Sequence, residues 1–328
     1  MKKQIVAAAV AATMSSVALA DISITGATKI NYTATEYDNS VTSNAVQNET
    51  DVKITGKNGD TTVVIALEMD DSGSNAHDAS AAATGGLDVE DVYMTTKVGD
   101  ITVKAGDWDN GNNFLRASSR SNNQLELGTT MGPIGITYWS GHGTADDKVT
   151  LKTDLGGVGL KYVSQAKDSE LVASANVAGI GVTYHLDNND TANTDKSSIE
   201  LTGKLGDFGV KAVRIDTDSG AVADGDTWAG DFEGTTSGAY ESHEGANVTA
   251  IEVSTNMAGN GVRFIHTKVD ALAGSTSAGS ADADANKVVI TRPLASGATF
   301  ELTYTSQDVS GNTAESSDSL DLELAVKF

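Results

Sequence analysis

Apolar and polar residues alternate with a period of two over most of the chain from Asp21 to Phe328. This period predicts β-strands that are apolar on one face and polar on the other. The alternation is most regular in residues 22–32, 148–155, 199–205, 300–305 and 320–328. We therefore expect an all-β protein whose strands are amphipathic.

Eight short turns containing glycine separate pairs of these strands. Glycine accepts at little cost the positive φ that tight hairpin turns require. At their other ends the strands are joined by longer segments rich in Asp, Ser, Asn, Thr and Ala, such as residues 70–86, 216–245 and 270–285. Short turns at one end and long loops at the other are typical of a transmembrane β-barrel. The turns are Asn58-Gly59, Gly99-Asp100, Gly132 to Gly135, Gly156-Gly157, Gly179 to Gly181, Gly206-Asp207, Gly259 to Gly261 and Ser296-Gly297.

Eight hairpins, with the first strand closing on the last, predict an antiparallel barrel of 18 strands. The number falls to 16 if one apparent hairpin is not part of the wall. A soluble sandwich would need large side chains in its core, whereas aromatic residues are only 5% of the chain. A secreted β-solenoid adhesin would need a constant repeat, which the turns do not show. Lipid supplies the apolar partner that these strands lack, and closure pairs every strand edge.

The N-terminus has the pattern of a secretory signal peptide. Lys2 and Lys3 are followed by a small apolar segment from Ile5 to Met14 and by Ala18-Leu19-Ala20, a small-x-small cleavage site. A buried N-terminal helix is the alternative. We predict that residues 1–20 are the signal peptide and that residues 21–328 form the barrel. Without its first 20 residues, and so without two lysines, the chain has 45 acidic and 20 basic residues, a net charge of −25.

Composition and motifs argue against several classes of function. The chain has no cysteine, which excludes disulfide frameworks and thiolate metal sites. Its isoelectric point near 4.4 argues against a nucleic acid partner. The five histidines are scattered, and the acidic stretches beginning at Asp216 and Asp282 lack the spacing of an EF-hand loop, although weak divalent binding stays open. We expect no enzyme activity, no cofactor and no metal site.

Three segments resemble the general porins of Gram-negative bacteria, above all the alphaproteobacterial type. The segment from Asp21 to Gly26 is similar to the start of those porins, and the segment from Leu320 to Phe328 is similar to their final strand. Ile101 to Asp107, continuing to Phe114, is similar to their fifth strand and the loop after it. The resemblance implies an outer-membrane location, usually 16 strands, a homotrimer, and a terminal Phe328 that the barrel-assembly machinery reads.

The same resemblance implies that the loop after the fifth strand folds inward and narrows the pore. It assigns the constriction to Asp107, Asp109, Arg116 and Arg120, the alternative being an ordinary extracellular loop. If the apolar face of each strand meets lipid, the opposite face lines the lumen, where charged residues are tolerated in water. We predict that ten charged residues line it: Lys29, Lys53, Lys104, Lys152, Lys161, Lys204, Arg263, Glu68, Glu126 and Glu200.

These features together predict a porin through which small hydrophilic solutes and ions diffuse passively. The acidic net charge favours mild cation selectivity, although the basic residues predicted on the lumen face argue the other way. Two alternatives stay open at this stage. One is a cell-surface structural or adhesion protein that uses the barrel as an anchor, and the other is a substrate-specific channel. Apart from solutes and ions, the expected partners are outer-membrane lipids.

Overall fold

The computed structural model describes residues 21–37, 42–70, 86–109, 120–140, 147–166, 168–189, 194–217, 246–271, 282–310 and 316–328. The predicted signal segment, residues 1–20, lies outside these ranges. None of the described residues forms a helix long and apolar enough to cross a membrane. They form 18 strands: β1(Asp21–Tyr37), β2(Thr42–Asn58), β3(Thr61–Asp70), β4(Gly86–Val98), β5(Ile101–Asp109), β6(Arg120–Met131), β7(Ile134–Ser140), β8(Lys148–Leu155), β9(Val158–Gln165), β10(Asp168–Val177), β11(Ile180–Asn189), β12(Thr194–Leu205), β13(Phe208–Thr217), β14(Ala246–Met257), β15(Asn260–Ala271), β16(Ala283–Pro293), β17(Ala298–Val309) and β18(Ser317–Lys327).

The strands form one closed antiparallel barrel. Each strand pairs with its neighbours in sequence, and β1 also pairs with β18, from Ala27 opposite Lys327 to Tyr37 opposite Ser317. Two backbone hydrogen bonds extend this seam, because Gly26 N donates to Phe328 O and Phe328 N donates to Gly26 O, at 2.8 and 2.9 Å. The predicted closure and the count of 18 strands are therefore confirmed, and the alternative of 16 strands is wrong.

The eight predicted turns all lie between consecutive strands, from the β2–β3 turn to the β16–β17 turn. The tightest ones require the left-handed backbone conformation. Between β10 and β11, Ala178 and Gly179 have φ of 53° and 86°, as a type I′ turn demands at both central residues. The Asn176 side chain accepts a hydrogen bond from Gly179 N at 3.0 Å and stabilises this turn. Hairpin geometry thus explains where the glycines occur in the sequence.

The pairing register assigns each residue to one of two faces, since residues directly opposite each other share a face. Ile24, Ile54, Ile65 and Val92 follow one another in register across β1 to β4. This face carries large apolar side chains that are exposed on strands all around the barrel, and we call it the outer face. Examples on other strands are Met131, Leu155, Ile180, Leu205, Phe264 and Leu324. The other, inner face carries most of the charged residues of the strands.

Along β13 to β17 the alternation changes phase, which means that the apolar residues move from the outer face to the inner face. The sequence-based prediction did not include this change. Near the turns, Val210 and Phe264 lie on the outer face, but further along, that face carries Arg214 and Lys268. On the same part of these strands the inner face becomes apolar and buried. Its cluster consists of Val213, Ile215, Val248, Ala250, Ile265, Val269, Ala283 and Val309. A polar outer face indicates that the wall here extends beyond the apolar band into water.

Candidate pore wall

All ten charged residues that we predicted to line the pore lie on the inner face. Lys29 is opposite Ala325 and Glu49, Lys104 is opposite Thr95 and Glu126, and Lys152 is opposite Lys161. The register places Lys53, Lys204, Arg263, Glu68 and Glu200 on the same face. Their contact with passing solutes stays a prediction.

Of the four residues assigned to the constriction, Asp107, Asp109 and Arg120 flank residues 110–119, which are outside the described ranges. Arg116 belongs to that segment, and only the backbone of Arg120, opposite Asp109, is described. Asp107 is opposite Val92, an outer-face residue, and its carboxylate accepts a hydrogen bond from Asn123 N at 2.6 Å. Asp109 N donates to the Asp91 carboxylate at 3.1 Å. The structure therefore shows Asp107 and Asp91 holding the ends of β5 and β6, and the constriction itself stays a prediction.

Deleting residues 109–119 tests that assignment. If this segment narrows the pore, single-channel conductance in a planar bilayer should rise, because the narrowest part of a pore dominates its resistance. Unchanged conductance would remove the segment from the constriction. A deletion within residues 272–281, which join β15 to β16, is the matched control and should leave conductance unchanged if the narrowing is specific to the first segment.

The inner face of β5 to β7 carries a buried aromatic group that the sequence-based prediction missed. Trp108 and Trp139 are only 3% and 5% exposed. The Gln124 side chain links them, because its Nε2 donates to Trp108 O at 2.5 Å and its Oε1 accepts from Trp139 Nε1 at 2.6 Å. The alternation of β5, with Lys104 and Trp108 on one face, was the signal that could have placed Trp108 inside.

Two lysines on the inner face contact these aromatic rings. Lys104 Nζ lies 4.1 Å from the ring centroids of both Tyr93 and Trp108, and Lys148 Nζ lies 4.9 Å from that of Trp139. Cation–π attraction at such distances stabilises an ammonium group in one position. These contacts therefore fix two positive charges on the inner face between β5 and β8.

Ion pairs connect neighbouring strands elsewhere on the inner face. Lys29 pairs with Glu49 and Lys161 with Glu170, each at 2.8 Å. Longer pairs join Lys211 to Glu200 at 3.4 Å and Arg263 to Glu252 at 3.9 Å. Most of these side chains remain partly exposed, so each pair contributes little to stability. Their main effect is on the field inside the barrel.

Opposite charges are concentrated on different strands of the inner face. On β2 and β3, carboxylate oxygens of Glu49, Asp51 and Glu68 lie within 4.8 Å of one another, close enough to share a cation. The adjoining β4 adds Asp88, Glu90 and Asp91. On β8 and β9, by contrast, Lys152 is directly opposite Lys161, with Lys148 further along β8. The inner face thus has an acidic arc at β2 to β4 and a basic arc at β8 to β9.

A further negative charge lies at the end of the barrel away from the short turns. Asp147, just before β8, accepts hydrogen bonds from the Tyr138 hydroxyl at 2.6 Å and the Ser140 hydroxyl at 2.7 Å. These two bonds lower the pKa of the Asp147 carboxyl, so this group stays ionised at neutral pH. Tyr138 and Ser140 belong to the outer face, so this charge lies on the outer side of the wall and not on the inner face.

The barrel is similar to solved channels of Pseudomonas aeruginosa. OpdK with vanillate aligns with a TM-score of 0.67 and 12% identity, over 94% of this chain and 98% of that one. OpdQ gives a TM-score of 0.67 and 9% identity, over 94% and 99%. OccK2 (OpdF) with glucuronate gives 0.65 and 11%, over 94% and 98%. At such identities the likeness shows the fold alone, which is that of 18-stranded outer-membrane channels.

No protein-family model and no curated protein sequence matches the chain. The resemblance to the alphaproteobacterial general porins receives no support from these structures.

Proposed function

We propose that this protein is an outer-membrane porin, a water-filled channel for the passive diffusion of small hydrophilic solutes and ions. The observation that carries the proposal is the distribution of residues over a closed wall. The outer face carries exposed apolar side chains, and the inner face carries partly exposed ion pairs such as Lys29 with Glu49. Charged side chains are costly in a dry interior and well solvated in a water-filled one. The likeness to solved outer-membrane channels supports the same function.

Single-channel recording tests the proposal. The protein without residues 1–20 is refolded and added to a planar bilayer with a salt gradient across it. Discrete conductance steps are expected, and steps in groups of three would also support the trimer that we propose from the porin resemblance. A bilayer that stays sealed despite confirmed insertion would contradict the channel and favour the adhesion protein that uses its barrel as an anchor.

We further propose mild cation selectivity, because the acidic arc of β2 to β4 faces the lumen in this proposal. Neutralising two of its carboxylates, Glu49→Gln with Asp51→Asn, should shift the reversal potential in a salt gradient toward that of chloride. The physical reason is that fixed wall charges set the local concentration of counter-ions. Asp195→Asn on the outer face is the matched control and should leave the reversal potential unchanged. A wild-type reversal potential that favours chloride would contradict cation selectivity itself.

A substrate-specific channel for small carboxylates is the second candidate. It is favoured by the basic arc of β8 and β9, since Lys152 lies directly opposite Lys161 and the Lys161–Glu170 ion pair neutralises only one of these two charges. OpdK and OccK2 were solved with vanillate and glucuronate, which are both carboxylates. Addition of either compound should then interrupt the single-channel current at concentrations where an uncharged sugar does not. Equal, weak effects of all three compounds would favour the unspecific channel.

A further inference from the structure

We infer that solutes pass the half of the barrel farther from the short turns along one arc of the wall only, the arc formed by β1 to β4. We call this half of the barrel the loop-side half. The inference rests on the proposed channel function and adds which residues a passing solute meets. It follows from an uneven distribution of burial on the inner face.

In the loop-side half, inner-face residues of β13 to β18 are almost all closed to solvent. The apolar cluster of β13 to β17 accounts for many of them. Polar neighbours are buried as well, and Thr305 is only 1% exposed. The other buried polar residues are Thr217, Thr267, Thr303, Gln307, Ser317 and Ser319, and the apolar Ala285 is buried among them. Among the described side chains here, Lys287 and Asp321 are the ones that keep partial exposure.

The outer face of the same strands gives independent support. Arg214 binds Asp216 at 2.8 Å and Thr249 at 2.7 Å, and His266 contacts Asn286 at 3.0 Å. A sheet with a polar outer face and an apolar, buried inner face has the pattern of a soluble protein that packs its core on one side. In this part of the barrel, water therefore lies outside the wall and not along its inner face.

The arc from β5 to β12 is partly closed in the loop-side half. Trp108, Gln124 and Trp139 are buried on β5 to β7, and Glu170 and Asp187 are buried on β10 and β11. These buried side chains close parts of the inner face to solvent. Lys148 on β8, which lies between the two groups, is partly exposed.

The inner face of β1 to β4 differs from both of these regions. No described inner-face side chain is buried in its loop-side half. Ala45 is exposed, and its register partner Thr33 is half-buried. The acidic arc of Glu49, Asp51 and Glu68 belongs to this part of the wall. A solute confined to this side passes those carboxylates at short range. They therefore influence ion selectivity more strongly than the small part of the wall that they occupy would suggest.

Substituted cysteines test the inference, because the natural chain has no cysteine of its own. Two matched pairs compare the arcs with the same starting residue: Thr33→Cys against Thr305→Cys, and Ala45→Cys against Ala285→Cys. Each folded variant is treated with the trimethylammonium-ethyl methanethiosulfonate reagent. The extent of labelling is read by mass spectrometry, and conductance is recorded before and after treatment. Denatured samples, in which all four cysteines should react equally, confirm that the reagent is active.

We expect cysteine at positions 33 and 45 to react and to reduce the conductance. At positions 305 and 285, reaction should be slower by at least about tenfold, since it requires local opening of the wall. Equal labelling rates within both pairs would overturn the inference, and the second pair decides if Thr305→Cys does not fold. Because labelling is measured separately from current, a barrel that labels as expected but carries no current would contradict the proposed channel and leave the asymmetry of the wall established.

Discussion

Replacement of Gly106 by alanine is expected to destabilise the folded barrel by about 3–5 kcal/mol, through backbone strain and overpacking together. Gly106 has a backbone φ of 137°, in a region that L-residues other than glycine rarely adopt. A Cβ atom there would lie 2.1 Å from Val92 O and 2.6 Å from Tyr93 Cα. Both neighbours are backbone atoms of β4, so no rotation of a side chain can relieve the contact.

Gly106 also marks the point where β5 changes its register against β6, between Gly106 and Trp108. Separation of β4 and β5 at this point would move Trp108 and the ammonium of Lys104 beside it. We therefore expect the variant to lose the ordered inner wall of these strands together with its stability.

The urea midpoint of unfolding, followed by tryptophan fluorescence, measures this effect. Gly128→Ala is the matched control, since Gly128 lies on the adjoining strand opposite Thr102 and a Cβ atom there meets nothing closer than 3.9 Å. It should change the free energy of unfolding by less than about 1 kcal/mol. Equal midpoints for Gly106→Ala and the wild type would show that β4 and β5 can separate at no cost.

The overall fold could be predicted from local sequence signals because a barrel is built from repeated local units. Each hairpin needs a turn that only a few residues permit, as at Asn176 to Gly179, and the strand between turns shows its faces by alternation. Counting turns therefore gave the number of strands. The family resemblance suggested 16, and the local count of 18 was correct.

The details that the sequence did not predict depend on contacts between strands. Both register shifts, at Ala66/Leu67 and at Gly106/Trp108, arise from backbone geometry that alternation alone does not specify. The change of phase on β15 was visible in the sequence, where Phe264 is followed by Ile265 and later by Val269. A change of phase without a bulge indicates that the outer face has left the apolar band.

The sequence predicted which charged residues belong to the candidate pore wall better than it predicted which of them contact each other. Alternation placed the ten charged residues on one face, but which partner each one meets depends on the register of separate hairpins. The grouping of Glu49, Asp51 and Glu68 joins two strands, and the Lys152–Lys161 pair joins two others. Burial of the polar inner-face side chains of β13 to β18, such as Thr305, depends on the fold as a whole, and no local pattern marks it.

Removal of the Phe328 side chain is expected to reduce assembly of the barrel in the cell much more than it reduces the stability of the folded protein in solution. In Phe328→Ala the two backbone bonds to Gly26 can still form, so the seam between β1 and β18 is kept. The ring covers Gly26 on the outer face and is 61% exposed, so its loss should cost only about 1 kcal/mol of stability. If the assembly machinery reads this terminal ring, as the porin resemblance implies, the amount of folded barrel in the outer membrane should nevertheless fall several-fold.

Comparison of two variants isolates the ring from the backbone. Deletion of Phe328 removes both hydrogen bonds as well as the ring, so it should lower the urea midpoint further than Phe328→Ala does. Phe264→Ala is the control for the loss of an exposed phenylalanine from the outer face, and it should assemble as the wild type does. If Phe328→Ala also reaches wild-type amounts in the membrane, Phe328 acts only through the backbone of the seam, and the assembly signal must lie elsewhere in β18.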